Sequence, residues 1–285
     1  MVALLTLLTM IAFAANSLLC RMALADGAID PMAFTAIRIT SGAAVLLPWA
    51  YFARRRRAGS RESGSWASAA ALMVYALGFS IAYRSLDTGV GALILFGAVQ
   101  ATMIGAGVVG GERPRLAEWS GLVLAMSGLV YLVRPGMTSP DPVGVSLMLA
   151  SGVGWGVYSV RGRSSGLPVA ATAGNFLRSV PLAVGALLVG LESLHVTPRG
   201  VALAAISGGI TSGLGYALWY TVLRHLTTTR AAIVQLSVPV IAAAGGIAFL
   251  SEPATMRLAV STVLILGGIG LAIVVRGRTR LAENR

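Results

Sequence analysis

Lysine is absent from the 285 residues, cysteine occurs once, histidine twice, and charged residues make up only 11% of the chain. So little charge cannot clothe a water-soluble globule of this length. The lone Cys20 excludes a disulfide framework and a thiol cluster for a metal. Without lysine, the formal +12 balance rests on arginine. The arginines stand at the ends of apolar runs, where they read as topology signals and headgroup anchors; a nucleic-acid binder would gather them on one basic face. Acid is scarce as well. Asp26, Asp30, Asp87, Asp141 and Glu192 fall in loops, Glu112 and Glu252 at span ends, and His195 and His225 in loops. No carboxylate falls at mid-membrane, so a proton relay is not expected and uniport or exchange is. Neither a nucleophile with a base nor a metal cluster lies at depth, so the chain does not read as an intramembrane enzyme and implies no cofactor.

What the chain has is apolar length: 56% hydrophobic residues and a mean hydropathy of +0.81. A bilayer core roughly 30 Å thick takes about 20 apolar residues per helix. Runs of that length lie near 2–24, 32–52, 66–84, 88–110, 117–134, 143–162, 169–190, 200–222, 229–250 and 256–275. The runs are too long and too uniformly apolar for barrel strands, and unpaired backbone in lipid is prohibitive, so the expected class is an all-α membrane protein of about ten spans. The first run lacks a basic leader and is expected to be retained as a helix. Arg54 to Arg57 and the arginine-rich tail fall on one side of such a topology, which puts both termini in the cytoplasm.

The sequence also matches itself at an offset of about 140 residues. Arg21 falls on Arg161, Arg38 on Arg178, Leu86 on Leu226, Thr88 on Thr228, Ala92 on Ala232, Gly105 on Gly245, Glu112 on Glu252 and Gly128 on Gly268. Residues 1–140 and 141–285 therefore read as two copies of one five-helix unit, joined through Pro135 to Pro142. Five is odd, so the second copy enters the membrane from the opposite side. Inverted repeats are a common basis of alternating access.

One further pattern carries a resemblance. A Gly-rich run closes on Gly110-Gly111-Glu112-Arg113-Pro114 in the first copy and on Phe249-Leu250-Ser251-Glu252-Pro253 in the second. With two copies of five spans, this resembles the EamA-type members of the drug/metabolite transporter superfamily, and most of all the YddG group of amino acid exporters. The resemblance implies export of amino acids, aromatic ones included, across a bacterial inner membrane. Pro239 stands where such families carry a proline in the ninth span, but its counterpart in the fourth is Val99, which departs from a paired hinge.

Cargo of such a transporter binds between the halves near the bilayer centre. Tyr75, Phe79 and Tyr83 recur every four residues on one face of the third span, and the repeat maps Phe79 onto Trp219, beside Tyr216 and Tyr220. Trp155 and Tyr158 share a face of the sixth span. These rings can wall a cavity, or pack, or form an interfacial belt, the last being the expectation for Tyr83 and Tyr220 near span ends. Asn16, Gln100, Asn175 and Gln235 are amides in apolar helices that need partners in protein, water or cargo, each such bond adding roughly 0.6–2 kcal/mol. Arg38 and Arg178 lie inside spans, where a charge is costly. Arg38 can receive a substrate carboxylate, or snorkel to the headgroups from its place near a span's start. The substrate-site candidates are thus Asn16, Arg38, Tyr75, Phe79, Gln100, Trp155, Tyr158, Trp219 and Gln235. Glu112 and Glu252, at helix ends where the macrodipole disfavours an anion, are expected to hold an arginine or backbone partner. Gly107/Gly111, Gly152/Gly156 and Gly209/Gly213 allow close helix approach. Gly208, Gly209, Gly213 and Gly215, with Pro181 and Pro239, mark possible bending points.

The expected function is export of small metabolites, amino acids foremost, with the lipid bilayer as surroundings and no obligate protein partner. Efflux of hydrophobic cations or drugs, and a non-transporting assembly or sensor subunit, stay open as alternatives.

Overall fold

The computed structural model describes residues 2–55, 64–111, 116–134, 139–162, 167–223, 225 and 234–283. Among them run ten helical spans: α1 (Val2–Leu24), α2 (Pro31–Arg55), α3 (Trp66–Ala82), α4 (Thr88–Val109), α5 (Leu116–Val133), α6 (Pro142–Gly162), α7 (Pro168–Val189), α8, α9 (Ser237–Leu250) and α10 (Met256–Glu283). The eighth span α8 is compound: helix Pro198–Ile206, a π-helical stretch Ser207–Leu214, then helix Gly215–Leu223. Six spans are long and apolar enough to cross a bilayer outright, and the others are shorter apolar helices. Large apolar side chains such as Leu4, Val123, Val130 and Val263 face outward, as befits a protein whose solvent is lipid.

Local chemistry fixes where several spans start. Asp30 Oδ1 accepts from the Met32 and Ala33 amides at 2.9 and 3.0 Å, and Pro31 opens α2. Thr197 accepts from Gly200 ahead of Pro198, and Ser65 from Ser68 at the head of α3. A capping oxygen satisfies orphan amides, and the prolines after Asp30 and Thr197 also pre-set φ, which makes these boundaries sharp. At the other end of α9, Ser251 turns left-handed at φ 54° and stops the helix.

Loops that follow odd-numbered helices gather at one end of the bundle. Ile29 bridges to Val196, with Asp30 N donating to His195 O at 2.9 Å and Thr197 N to Ala28 O at 3.0 Å. Ser85 Oγ donates to Asp141 Oδ2 at 2.8 Å, and Arg257 Nη1 to Arg134 O at 2.9 Å. At the opposite end Ser65 N donates to Asn175 Oδ1 at 2.8 Å, and Arg161 Nε to Ser68 Oγ at 3.1 Å.

Inside, α2 lies on α7, α5 on α10, α6 on α3 and α4, and α1 on α8 and α9. Glycine sets the closest of these approaches. A Cβ on Gly152 would stand 2.7 Å from the Leu95 carbonyl and one on Gly156 2.7 Å from Thr102 Cβ, so that motif does seat α6 against α4. The repeat-related Gly128 and Gly268 sit together at the α5/α10 crossing, at 2.7 Å from Leu264 Cβ and 2.5 Å from the Gly121 carbonyl on the same measure.

Candidate substrate site

The second turn of α2 carries Arg38 into the bundle, where it is 2% exposed. Its Nη2 donates to the Tyr75 hydroxyl at 2.7 Å and its Nε to the Ser212 hydroxyl at 3.3 Å. The guanidinium carbon lies 5.1 Å from the Tyr75 ring centre and 5.0 Å from that of Phe79. The snorkelling expectation is therefore overturned. The side chain turns inward because two hydroxyls and two π faces wait there. Among the described residues no carboxylate pairs with it, and Nη1 has no hydrogen-bond partner. A cation buried without a counter-ion costs several kcal/mol, so this position is held against a strong energetic preference for water.

The π-helical stretch of α8 explains how Ser212 reaches Arg38. Gly208 rests on the Arg38 carbonyl and the Ser41 hydroxyl so closely that no Cβ would fit. A π turn widens the helix and re-aims its side chains, and here Ser207, Thr211 and Ser212 all come to lie buried. Asn16 on α1 joins them: its Nδ2 donates to the Tyr75 hydroxyl at 3.3 Å, its Oδ1 accepts from Ser207 at 2.6 Å, and the Thr211 hydroxyl lies 3.1 Å from that oxygen.

Around this polar knot stand rings. Trp155 lies 4.8 Å from Tyr75 and 5.2 Å from Tyr216, and stacks on Tyr158 at 5.5 Å. Phe13 meets Tyr216 and Trp219 edge-on, each at 5.9 Å. They border a partly open cavity of about 30 Å³ lined by Phe13, Asn16, Ser17, Tyr75, Phe79, Leu95, Phe96, Trp155, Thr211, Ser212 and Tyr216. That volume is far below the roughly 300–1,000 Å³ of ordinary ligand pockets, so the centre is narrow in this structure. Two larger recesses, about 340 Å³ around Asp87, Asp141 and Glu252 and about 590 Å³ around Tyr51, Trp66 and Arg178, share no lining residue with it.

Of the nine sequence candidates, Asn16, Tyr75, Phe79 and Trp155 line the cavity and Arg38 stands one hydrogen bond behind it. Tyr158 and Trp219 pack a ring further out, and Gln100 and Gln235 are not in its wall. Tyr83 is fully buried against Phe79 at 4.7 Å and donates to the Thr88 carbonyl at 3.3 Å, which overturns the interfacial belt expected for it; the side chain of Tyr220 lies outside the described residues. Asn175 donates to Tyr158 at 3.4 Å and acts as a fastener. Arg178 donates to the Gly174 carbonyl on its own helix. Glu252 holds both partners expected of it, Arg21 Nε at 3.6 Å and the Thr88 amide; Glu112, Arg113 and Pro114 lie outside the described residues. Sequence reasoning missed Phe13, Ser17, Leu95, Phe96, Thr211 and Ser212. The spacing of Phe13, three residues before Asn16 and four before Ser17 on α1, was the signal available for two of them.

Known proteins resemble this chain over much of its length. The model of the EamA-like transporter family matches residues 1–134 and again 142–274. An uncharacterized protein of Pseudomonas aeruginosa is 49% identical over 273 residues, covering 96% of this chain and 94% of that one. The threonine/homoserine exporter RhtA of Escherichia coli is 29% identical over 181 residues, 60% of this chain and 59% of its own. A solved crystal structure superimposes with a TM-score of 0.67 at 20% identity, over 96% of this chain and 97% of that one, which speaks for the fold alone. With its family model matched twice along the sequence, the chain belongs to the EamA-like transporter family and is a multi-pass inner-membrane transporter of small metabolites.

Proposed function

We propose that the protein exports amino acids, with a range that admits aromatic ones, by alternating access between two inverted five-helix repeats. The observation that carries this reading is the buried Arg38–Tyr75–Asn16–Ser212 knot inside a wall of rings. Its donors suit a carboxylate and its rings suit an apolar body. The name of the RhtA exporter adds weight to amino acid cargo.

Helix pairing supports the inverted arrangement. Under the 140-residue offset α2/α7 and α5/α10 map onto themselves, α3/α6 maps onto α8/α1, and α4/α6 onto α9/α1. Exchange of the halves thus leaves these main pairings in place, as expected of two halves that can trade conformations. Hydrophobic-cation efflux fares worse, since among the described residues no Asp or Glu lines the cavity and a guanidinium stands behind it. Purified protein in vesicles preloaded with labelled threonine or phenylalanine should release the label faster than protein-free vesicles; equal rates would rule out amino acid export.

A further inference from the structure

Counting hydrogen bonds at the central cavity assigns it a chemical sign. A phenolic oxygen has two acceptor sites and one O–H. The Tyr75 oxygen accepts from Arg38 at 2.7 Å and from Asn16 at 3.3 Å, so its acceptor sites are taken and its O–H is left to give. Ser212 accepts from Arg38 Nε at 3.3 Å and likewise keeps an O–H. The carbonyl oxygen of Asn16 is engaged by Ser207, while its Nδ2 carries a second N–H. Tyr75, Ser212 and Asn16 thus turn donors toward the cavity, and the acceptors left beside them are uncharged hydroxyl oxygens such as that of Thr211, whose O–H goes to the Ser207 carbonyl at 2.7 Å. Behind them stands a guanidinium that is 2% exposed, with Nη1 unpartnered.

From this ledger we infer that the site recognises its cargo through the carboxylate and places no demand on an ammonium group. It accepts monocarboxylates in which the amine is replaced by a hydroxyl as readily as the amino acids themselves. The carboxylate takes the hydroxyls of Tyr75 and Ser212, and the charge of Arg38 polarises both. An ammonium group would meet only uncharged hydroxyls and ring faces, since among the described residues no Asp or Glu lines the cavity. It would also face a like charge. The side chain of the cargo meets Trp155, Tyr216 and Phe13.

This inference rests on the transport reading, and one competition experiment separates their failures. Wild-type vesicles taking up labelled phenylalanine by counterflow are challenged with unlabelled phenylalanine, phenyllactate or phenylalaninamide. Phenyllactate should compete within about threefold of phenylalanine, while the amide, which forfeits a charge-assisted pair, should be at least about tenfold weaker. Tyr75→Phe should weaken phenylalanine and phenyllactate alike, since it removes the shared O–H. An amide that competes as well as phenylalanine, or phenyllactate that fails where phenylalanine succeeds, overturns carboxylate-only recognition and leaves amino acid export standing. No counterflow of phenylalanine or threonine overturns both.

Discussion

Glu252, just past the end of α9, caps the start of α4: its two carboxylate oxygens lie 2.8 and 2.9 Å from the Thr88 amide, and Oε1 also accepts the Thr88 hydroxyl at 2.8 Å. Asp87 occupies the capping position of α4 but makes no side-chain cap bond, so the anion comes from the other half of the chain. Arg21 adds a charge at 3.6 Å and ties in the carbonyls of Tyr83 and Arg84. An anion at a helix N-terminus gains from the dipole there, which explains why a carboxylate that looks misplaced at the end of α9 is well placed at the head of α4. Glu252→Ala should cost about 1–2 kcal/mol. Thr88→Ala, which keeps the backbone amide, should cost less. Thermal unfolding in detergent reads both, and equal losses would contradict the cap.

Gly208 and Gly97 offer a contrast within one chemistry. A methyl at Gly208 would overlap the Arg38 carbonyl, whereas one at Gly97 meets nothing within 4 Å. Gly208→Ala should destabilise by about 1–3 kcal/mol through overpacking and slow transport by displacing Ser212. Gly97→Ala should be neutral or gain up to about 1 kcal/mol from helix propensity. The same melting measurement decides, and a Gly208→Ala protein as stable as wild type would contradict the π-stretch contact.

Topology is open to chemical labelling, because the lone Cys20 is fully buried. Cysteines placed at Asp26 and Glu192, in the exposed loops after α1 and α7, should react with an impermeant maleimide in intact cells. One at Val109, at the exposed end of α4, should react only after permeabilisation. Labelling of Asp26→Cys and Glu192→Cys from opposite sides would break the ten-span, inverted arrangement.

Asp141 holds the start of α6, accepting from the Gly144 amide at 2.7 Å and from Ser85 at 2.8 Å, and these bonds lower its pKa from the ordinary 3.8. A depressed carboxylate contributes stability in full above its unfolded value and loses it as pH falls through the folded one. The wild-type protein should thus show no contribution from this group to its pH dependence between about pH 5 and 8. The difference in melting temperature between wild type and Asp141→Asn should shrink only below the ordinary carboxylate range. A difference that vanishes already near neutral pH would contradict the assignment.

Much of the fold was legible because apolar length answers to the bilayer rather than to neighbours. Asp30-Pro31 and Asp141-Pro142 carry their own helix starts, and Tyr75 and Phe79 declare a shared face by their spacing. The rest depends on contacts that sequence does not spell. Arg38 stands near a helix start whether it snorkels or turns inward, and only the partners across the bundle decide. Ser212 sits in a Gly-rich run that reads as flexible, while the π turn that aims it arises from packing on α2. Leu95 and Phe96 are apolar residues in an apolar helix, with nothing to mark a cavity wall from a lipid face. Tyr83 looks interfacial by position and is buried because α4 begins beside it.

Counterflow of labelled threonine and phenylalanine into vesicles carrying wild-type protein or Arg38→Gln, side by side, tests the role of the buried cation most directly. Wild type should accumulate label, and Arg38→Gln should do so at least about tenfold more slowly, as loss of a charge-assisted contact implies, while its melting shows a folded bundle. A folded Arg38→Gln protein that accumulates label at the wild-type rate would contradict cargo recognition at this centre.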